Sequence, residues 1–286
     1  HPLYILLKPH FEGTVFINWA AQKVLIAPDG IVDQLLAATI QSDREFAADT
    51  LKNLSFNDHM LPKNLQSRGV LSSRLDYPYR DDAEDLWDAI KTWVTDYLSI
   101  YYRNNGDVRA DFELQSWALE IVSENGGRVH GFGEDADGSI NTLTYLIDAA
   151  TMIIFTASAQ HAAVNFPQND IMSFTPAVPL AGYAPSPDGI KKKTVKDWMK
   201  MLPVLKTAEL QLTIGALLGG VYYTRLGEYG KRYFDDKRVE PHLAEFQAEL
   251  EEIEAGIKQR NKDILSEGVE AYHYLRPSEI PQSINI

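Results

Sequence analysis

Cysteine is absent from all 286 residues. Its absence excludes disulfides, zinc–thiolate sites and thiol catalysis, and leaves the redox compartment undetermined. Basic residues are scarce as well: 27 Lys and Arg stand against 40 Asp and Glu, a net charge of −13. A chain this acidic is a poor partner for phosphate backbones or anionic membrane surfaces, so no nucleic-acid partner is expected. Strand signals are few and short, and no internal repeat or low-complexity tract occurs. No Arg/Lys-led signal peptide opens the chain, which starts at His1 and reads as a fragment or a processed piece.

Long charge-poor runs are also rare. Residues 143–166 carry one charged residue, Asp148, and are long enough to span a bilayer. Gln160, His161 and Asn165 lie in the same run; a protein interior can satisfy these groups and lipid cannot. The expectation is a buried core helix, with its start signalled by Asp137-Gly138-Ser139.

Apolar residues make up 45% of the chain, enough for a sizeable core, and their spacing is helical nearly throughout. After Asp81-Asp82, residues Leu86, Trp87, Ile90, Trp93, Val94, Tyr97 and Leu98 recur at intervals of 3 and 4, with acids at the favourable N-terminal end. A second helix is predicted over residues 111–123. A third is predicted over 242–261, where Leu243, Phe246, Leu250, Ile253 and Ile257 share a face. Loops fall at 124–133 and at the Pro-rich 174–189. The fold class is mainly α: one large helical mass with few short strands.

Within the charge-poor helix, His161 and Asn165 are four apart and project to one face. An imidazole nitrogen with an amide oxygen suits a first-row metal of mixed N/O preference such as iron. On spacing alone, a hydrogen-bonded core His–Asn pair is the commoner outcome and a metal site the rarer. The C-terminus finishes on a β-branched apolar residue, Ile286. Burying it would bury the terminal carboxylate, which then needs a cation; an ordinary frayed tail is the other reading. Two features carry no site. Glu134-Asp135-Ala136-Asp137-Gly138 lacks the acids a calcium loop needs, with Gly133 and Thr144 in their places. Lys191-Lys192-Lys193 with Lys196 reads as a solvated helix entrance.

Taken together, these segments resemble the lipoxygenase family. His1-Pro2-Leu3-Tyr4-Ile5-Leu6-Leu7-Lys8-Pro9-His10 resembles the signature that follows the family's first metal helix. Asp76-Tyr77-Pro78-Tyr79, then Asp81-Asp82 and Trp87, resembles the segment downstream of its pocket, and Glu113-Leu114-Gln115-Ser116-Trp117 its next helix. Ser158-Ala159-Gln160-His161-Ala162-Ala163-Val164-Asn165-Phe166 is the most specific match. Tyr274-Leu275-Arg276-Pro277 through Ile286 resembles the C-terminal ligand segment. The likeness runs the whole length in order, and several segments look closest to the compact bacterial members that lack the N-terminal β-barrel.

The resemblance reverses the ordering that spacing gave. It implies one non-haem iron per complete domain, with His161 a ligand, Asn165 a weaker amide ligand and the carboxylate of Ile286 a terminal ligand. Gln168 becomes a partner that orients Asn165. Ala21 falls at the family's Ala/Gly stereochemical position, Leu25 and Val32 flank the reacting pentadiene, and Leu35 and Leu36 help to set pocket depth; Ile17 joins Ala21, Leu25 and Val32 in lining the acyl channel, for which residues 210–218 are a further candidate. The family takes two more histidine ligands from a helix that precedes the position of His1, and neither His1 nor His10 replaces them. The chain therefore reads as the C-terminal portion of one catalytic domain, incomplete without an upstream segment and exposing an apolar face. The implied activity is dioxygenation of a cis,cis-1,4-pentadiene to a hydroperoxide. The implied partners are a polyunsaturated fatty acid of the linoleate, linolenate or arachidonate class, O2, the upstream segment of the same protein and, at most, weak membrane contact. The sequence leaves the compartment unknown; a soluble, cytoplasmic protein that associates with membrane when active is the expectation. The other reading is a catalytically inactive lipid-binding or scaffold fragment of the same fold.

Overall fold

A computed structural model describes residues 1–286 except 15–16, 18, 20–22, 25–26, 36–38, 73, 137, 186–192, 221–223, 230–232 and 285–286. The strongest sequence pattern produces the central helix, Pro78–Ser99, in which Leu86, Trp87, Ile90, Trp93, Val94, Tyr97 and Leu98 are all buried. It starts three residues before the acids that signalled it. Pro78 takes the first helical position, where a missing N–H costs nothing, and Asp81 sits in the first turn.

The acidic C-terminal helix, Val239–Ser266, is longer than its predicted span at both ends and about 40 Å long. It stops at Gly268, whose φ of +76 is costly for a residue with a side chain; its N–H bonds back to the Leu265 carbonyl and that of Val269 to the Ile264 carbonyl. It packs along the central helix and buries Phe246, Leu250 and Ile257, with Leu250 reaching toward Gly227. Trp93 stacks on Phe246 with ring centroids 5.8 Å apart and planes at 9°, and Phe234 meets Trp93 edge-on at 5.6 Å. At the far end of this pair the guanidinium of Arg260 grips both carboxylate oxygens of Asp82, and also donates to the Tyr272 carbonyl at 3.0 Å.

The charge-poor run forms the Leu143–Phe155 helix, whose Phe155 ring packs edge-on against Trp87 at 5.5 Å. Its cap is Thr142, which accepts from the Tyr145 N–H at 3.1 Å, and not the Asp137-Gly138-Ser139 turn predicted for that role. Gly138, at φ +86, turns the chain instead. Glu134 then accepts from the Asn141 N–H and the Thr142 hydroxyl, a structural use for an acid of the rejected calcium loop. By length and composition Leu143–Met172 could cross a bilayer, but 56% of its most apolar window is buried within the chain, as in a core helix. The predicted 111–123 helix is Phe112–Val122, capped by Asp111, which accepts from Leu114 N–H at 3.0 Å. Among the described residues β pairing is limited to an antiparallel bridge between Arg225 and Pro281.

The contacts group the chain into two compact units. One contains residues 1–12, 50–163 and 223–284, and holds the helices Pro78–Ser99, Phe112–Val122, Leu143–Phe155 and Val239–Ser266 and the Arg225–Pro281 bridge. The other contains 13–49, 164–222 and 285–286. Because the units alternate along the chain, no linker marks them in the sequence. In the second unit the Pro167–Met172 helix packs on Leu205–Gly220, with Gly219 so near that an added Cβ would stand 3.4 Å from the Cβ of Asn169, in van der Waals contact. Gln211, 3% exposed, donates to the carbonyls of Val178 at 2.9 Å and Met172 at 3.3 Å, tying the Pro-rich loop to the helix.

Candidate metal centre

The core helix does not run as a plain α-helix to its histidine. Residues Thr156–Gln160 form a π-helical turn, after which His161–Asn165 resumes the α-helix. An extra residue in a turn rotates everything downstream by about 100° relative to α register. The face carrying His161 is therefore re-aimed relative to the apolar stripe of Leu143–Phe155. Two side chains hold the turn. The Ser158 hydroxyl donates to the Ile154 carbonyl at 2.6 Å, satisfying an acceptor in the wider ring. The Tyr79 hydroxyl donates to Gln160 at 2.9 Å. Tyr79 belongs to one of the recognised segments, but nothing in its local pattern announces this contact.

His161 is 7% exposed, in a stretch where Ala157, Ala159 and Ala162 are buried as well. Asn165, half-buried, closes the same helix. Gln168 donates to the Val164 carbonyl at 3.1 Å and reaches the Asn165 side-chain oxygen at 3.5 Å, the long limit of a hydrogen bond. That oxygen keeps lone-pair capacity for a second partner. Ile286 lies outside the described residues.

The two histidines of the first segment are engaged elsewhere. His1 bonds to Asp111 at 2.8 Å, where Tyr102 also donates at 2.6 Å. His10 is fully buried, and its Nδ1–H donates to the Gln282 carbonyl at 2.6 Å. That bond works with two neighbours, Leu226 N–H to Ile280 carbonyl at 2.9 Å and Gln282 N–H to Thr224 carbonyl at 2.8 Å, to pin the C-terminal segment. Burial lowers the His10 pKa from 6.5 to about 4, outweighing the opposite pull of the Gln282 carbonyl. The folded state thus refuses a proton that the unfolded chain accepts below pH 6.5. Stability is expected to fall by about 1.4 kcal/mol per pH unit from pH 6.5 down to 4 on account of this group. Asn at this position keeps a donor without titrating, so urea midpoints of His10→Asn should show a shallower pH slope than the parent.

Of the pocket candidates, Leu35 is buried at 4% exposure, while Ile17 and Val32 are half-buried. The Tyr183 hydroxyl donates to the Leu35 carbonyl, fixing the end of the Ile31–Leu35 helix. Ala21, Leu25 and Leu36 lie outside the described residues. In the Leu205–Gly220 helix, Leu212 and Leu217 are exposed by 39% and 51%.

A family model for lipoxygenases matches residues 1–268. This chain belongs to the lipoxygenase family. The linoleate 9/13-lipoxygenase of Pseudomonas aeruginosa is 43% identical over the whole chain, which covers 42% of that protein. The human polyunsaturated fatty acid lipoxygenase ALOX15B is 33% identical, with the same coverage of both. Among solved structures, a lipoxygenase crystallised anaerobically in complex with arachidonate superposes over the whole chain with a TM-score of 0.92 and 34% identity; 42% of that chain is covered. The structure of coral 8R-lipoxygenase gives 0.92 and 34%. The chain thus spans about two fifths of the length of these lipoxygenases, and its helical fold is that of their catalytic domain.

Lipoxygenases use non-haem iron, and the donors here fit such an ion. A buried imidazole is a strong ligand for iron, and an amide oxygen one turn on is a weaker one. Among the described residues, the trios of His, Asp and Glu close enough to share an ion are His1–Asp111–Glu113 and Asp96–His242–Glu245. Neither contains His161, so among the described residues no two other His, Asp or Glu stand close enough to share an ion with it.

Proposed function

We propose that this chain is the C-terminal portion of a lipoxygenase catalytic domain that inserts O2 into a cis,cis-1,4-pentadiene of a polyunsaturated fatty acid, giving a hydroperoxide. The observation that carries the reading is a buried histidine delivered by a π turn, inside a fold and sequence that match lipoxygenases from end to end. In this reading His161, Asn165 and the carboxylate of Ile286 hold the iron, with two histidines supplied by an upstream segment. Iron, when bound, supplies the one-electron chemistry that removes a hydrogen atom from the doubly allylic methylene.

The chain's own residues orient and shelter. Gln168 steers the Asn165 amide, and Ser158 and Tyr79 keep the π turn that aims His161. Ile17, Ala21, Leu25, Val32, Leu35 and Leu36 supply apolar walls that hold the acyl chain and exclude water. Exposed apolar residues in the second unit, including Val164, Ile171, Phe174 and Leu205, support a further segment that covers them.

The test is iron content by elemental analysis, together with conjugated-diene absorbance on linoleate, for the protein extended upstream of His1. Stoichiometric iron with oxygen-dependent diene supports the proposal. Absence of both replaces it with the non-catalytic lipid-binding reading.

A further inference from the structure

A different metal-ligating group stands on the long helix pair of the first unit. Asp96 lies in the last turns of Pro78–Ser99, and His242 and Glu245 lie three apart in the opening turns of Val239–Ser266. Residues at that spacing share a helix face. His242 Nδ1 is 3.4 Å from an Asp96 carboxylate oxygen and 3.8 Å from one of Glu245. All three ligand atoms lie within 4.8 Å of one another.

Those separations decide between two uses of the group. A good N–H···O hydrogen bond is about 2.7–3.2 Å long, and Nδ1 is buried with no hydrogen-bond partner. Donors around a tetrahedral zinc ion, with bonds of about 2.0–2.1 Å, stand about 3.4 Å apart. The Asp96–His242 separation is such an edge, and the Glu245 separation is slightly wider. The other trio behaves differently: His1 and Asp111 are already bonded at 2.8 Å, and Tyr102 occupies the same carboxylate oxygen.

Rigidity and charge favour the same assignment. Trp93, one turn before Asp96, stacks on Phe246, one turn after His242, so the ligands stand on tightly packed backbone. Preset ligands lose little freedom on binding. Two carboxylates with a neutral imidazole match the charge of a divalent ion. Burial, then Asp88, Glu252 and Asp96, push up the carboxyl of Glu249, one turn after Glu245, so the surrounding face is acidic. His242 Nδ1 faces inward, while Glu245, whose side chain is 73% exposed, leaves the group open to solvent on one side.

We propose that Asp96, His242 and Glu245 bind a divalent transition-metal ion of the zinc class, with water completing its shell, and that the ion clamps the two helices together. The imidazole selects against magnesium and calcium, which prefer all-oxygen shells. The experiment titrates zinc into the whole protein in competition with a chromogenic chelator, while following the unfolding temperature. The expected result is a zinc equivalent that raises the unfolding temperature, survives His161→Ala and is not displaced by a hundredfold excess of magnesium. His242→Ala and Asp96→Asn should each weaken that zinc at least tenfold. Retention of the same affinity in both variants overturns the proposal, as does a zinc stoichiometry that falls to zero in His161→Ala. Equal competition by magnesium overturns the zinc-class assignment.

Discussion

His161→Ala, made in the protein that carries its upstream segment, is expected to lose its iron and at least about a thousandfold of its diene-forming rate, about 4 kcal/mol. The size follows from the surroundings of the side chain. His161 is buried, and its near neighbours in sequence, Ala157, Ala159 and Ala162, cannot donate to a metal. Among the described residues no cluster of carboxylates and imidazoles includes it that could rearrange to take its place. Elemental analysis reads the iron and absorbance reads the diene, while circular dichroism should keep its helical signature. Wild-type iron in this variant would remove His161 from the ligand set.

Arg260→Ala is expected to cost about 3–5 kcal/mol of stability, read as a lower urea midpoint. Asp82, whose side chain is 3% exposed, is gripped at both oxygens by Arg260 across 178 residues of chain. Burial pushes its carboxyl up, and the Arg260 hydrogen bonds and charge pull it back. Without Arg260 the push is unopposed and Asp82 retains its proton when folded. A folded-state pKa raised above the unfolded value lowers stability as pH rises between the two. The deficit should therefore be smaller near pH 4 than at pH 7. Asp82→Asn combined with Arg260→Met should recover much of the loss, because no buried charge is left unpaired. An Arg260→Ala midpoint equal to that of the parent at pH 7 would mean the pair contributes nothing to the fold.

The apolar spacing of residues 86–98 predicted the central helix because an amphipathic pattern is local and repeats every turn. The same holds for 111–123, where Asp111 capped the helix as its residue type suggests. Helix ends were less legible. Val239–Ser266 outran its prediction because nothing between Asn261 and Gly268 breaks a helix, while an apolar stripe fades before its last turn. The 143–166 run was read correctly as a buried helix, but its π turn was invisible: neither Thr156 nor Gln160 differs in type from a residue of ordinary α-helix.

The sequence by itself determined the helical class, the acidic surface, the exclusion of thiol chemistry and, through ordered motifs, membership of the lipoxygenase family. It also placed His161 and Asn165 one turn apart, since helical spacing converts separation along the chain into a shared face. Tertiary structure alone decided that a π turn re-aims that face, that His10 anchors Gln282 and that Arg260 neutralises Asp82. It alone brought Asp96 to His242 and Glu245. Each of these rests on groups far apart in the chain, and no local period encodes which distant side chain will meet which.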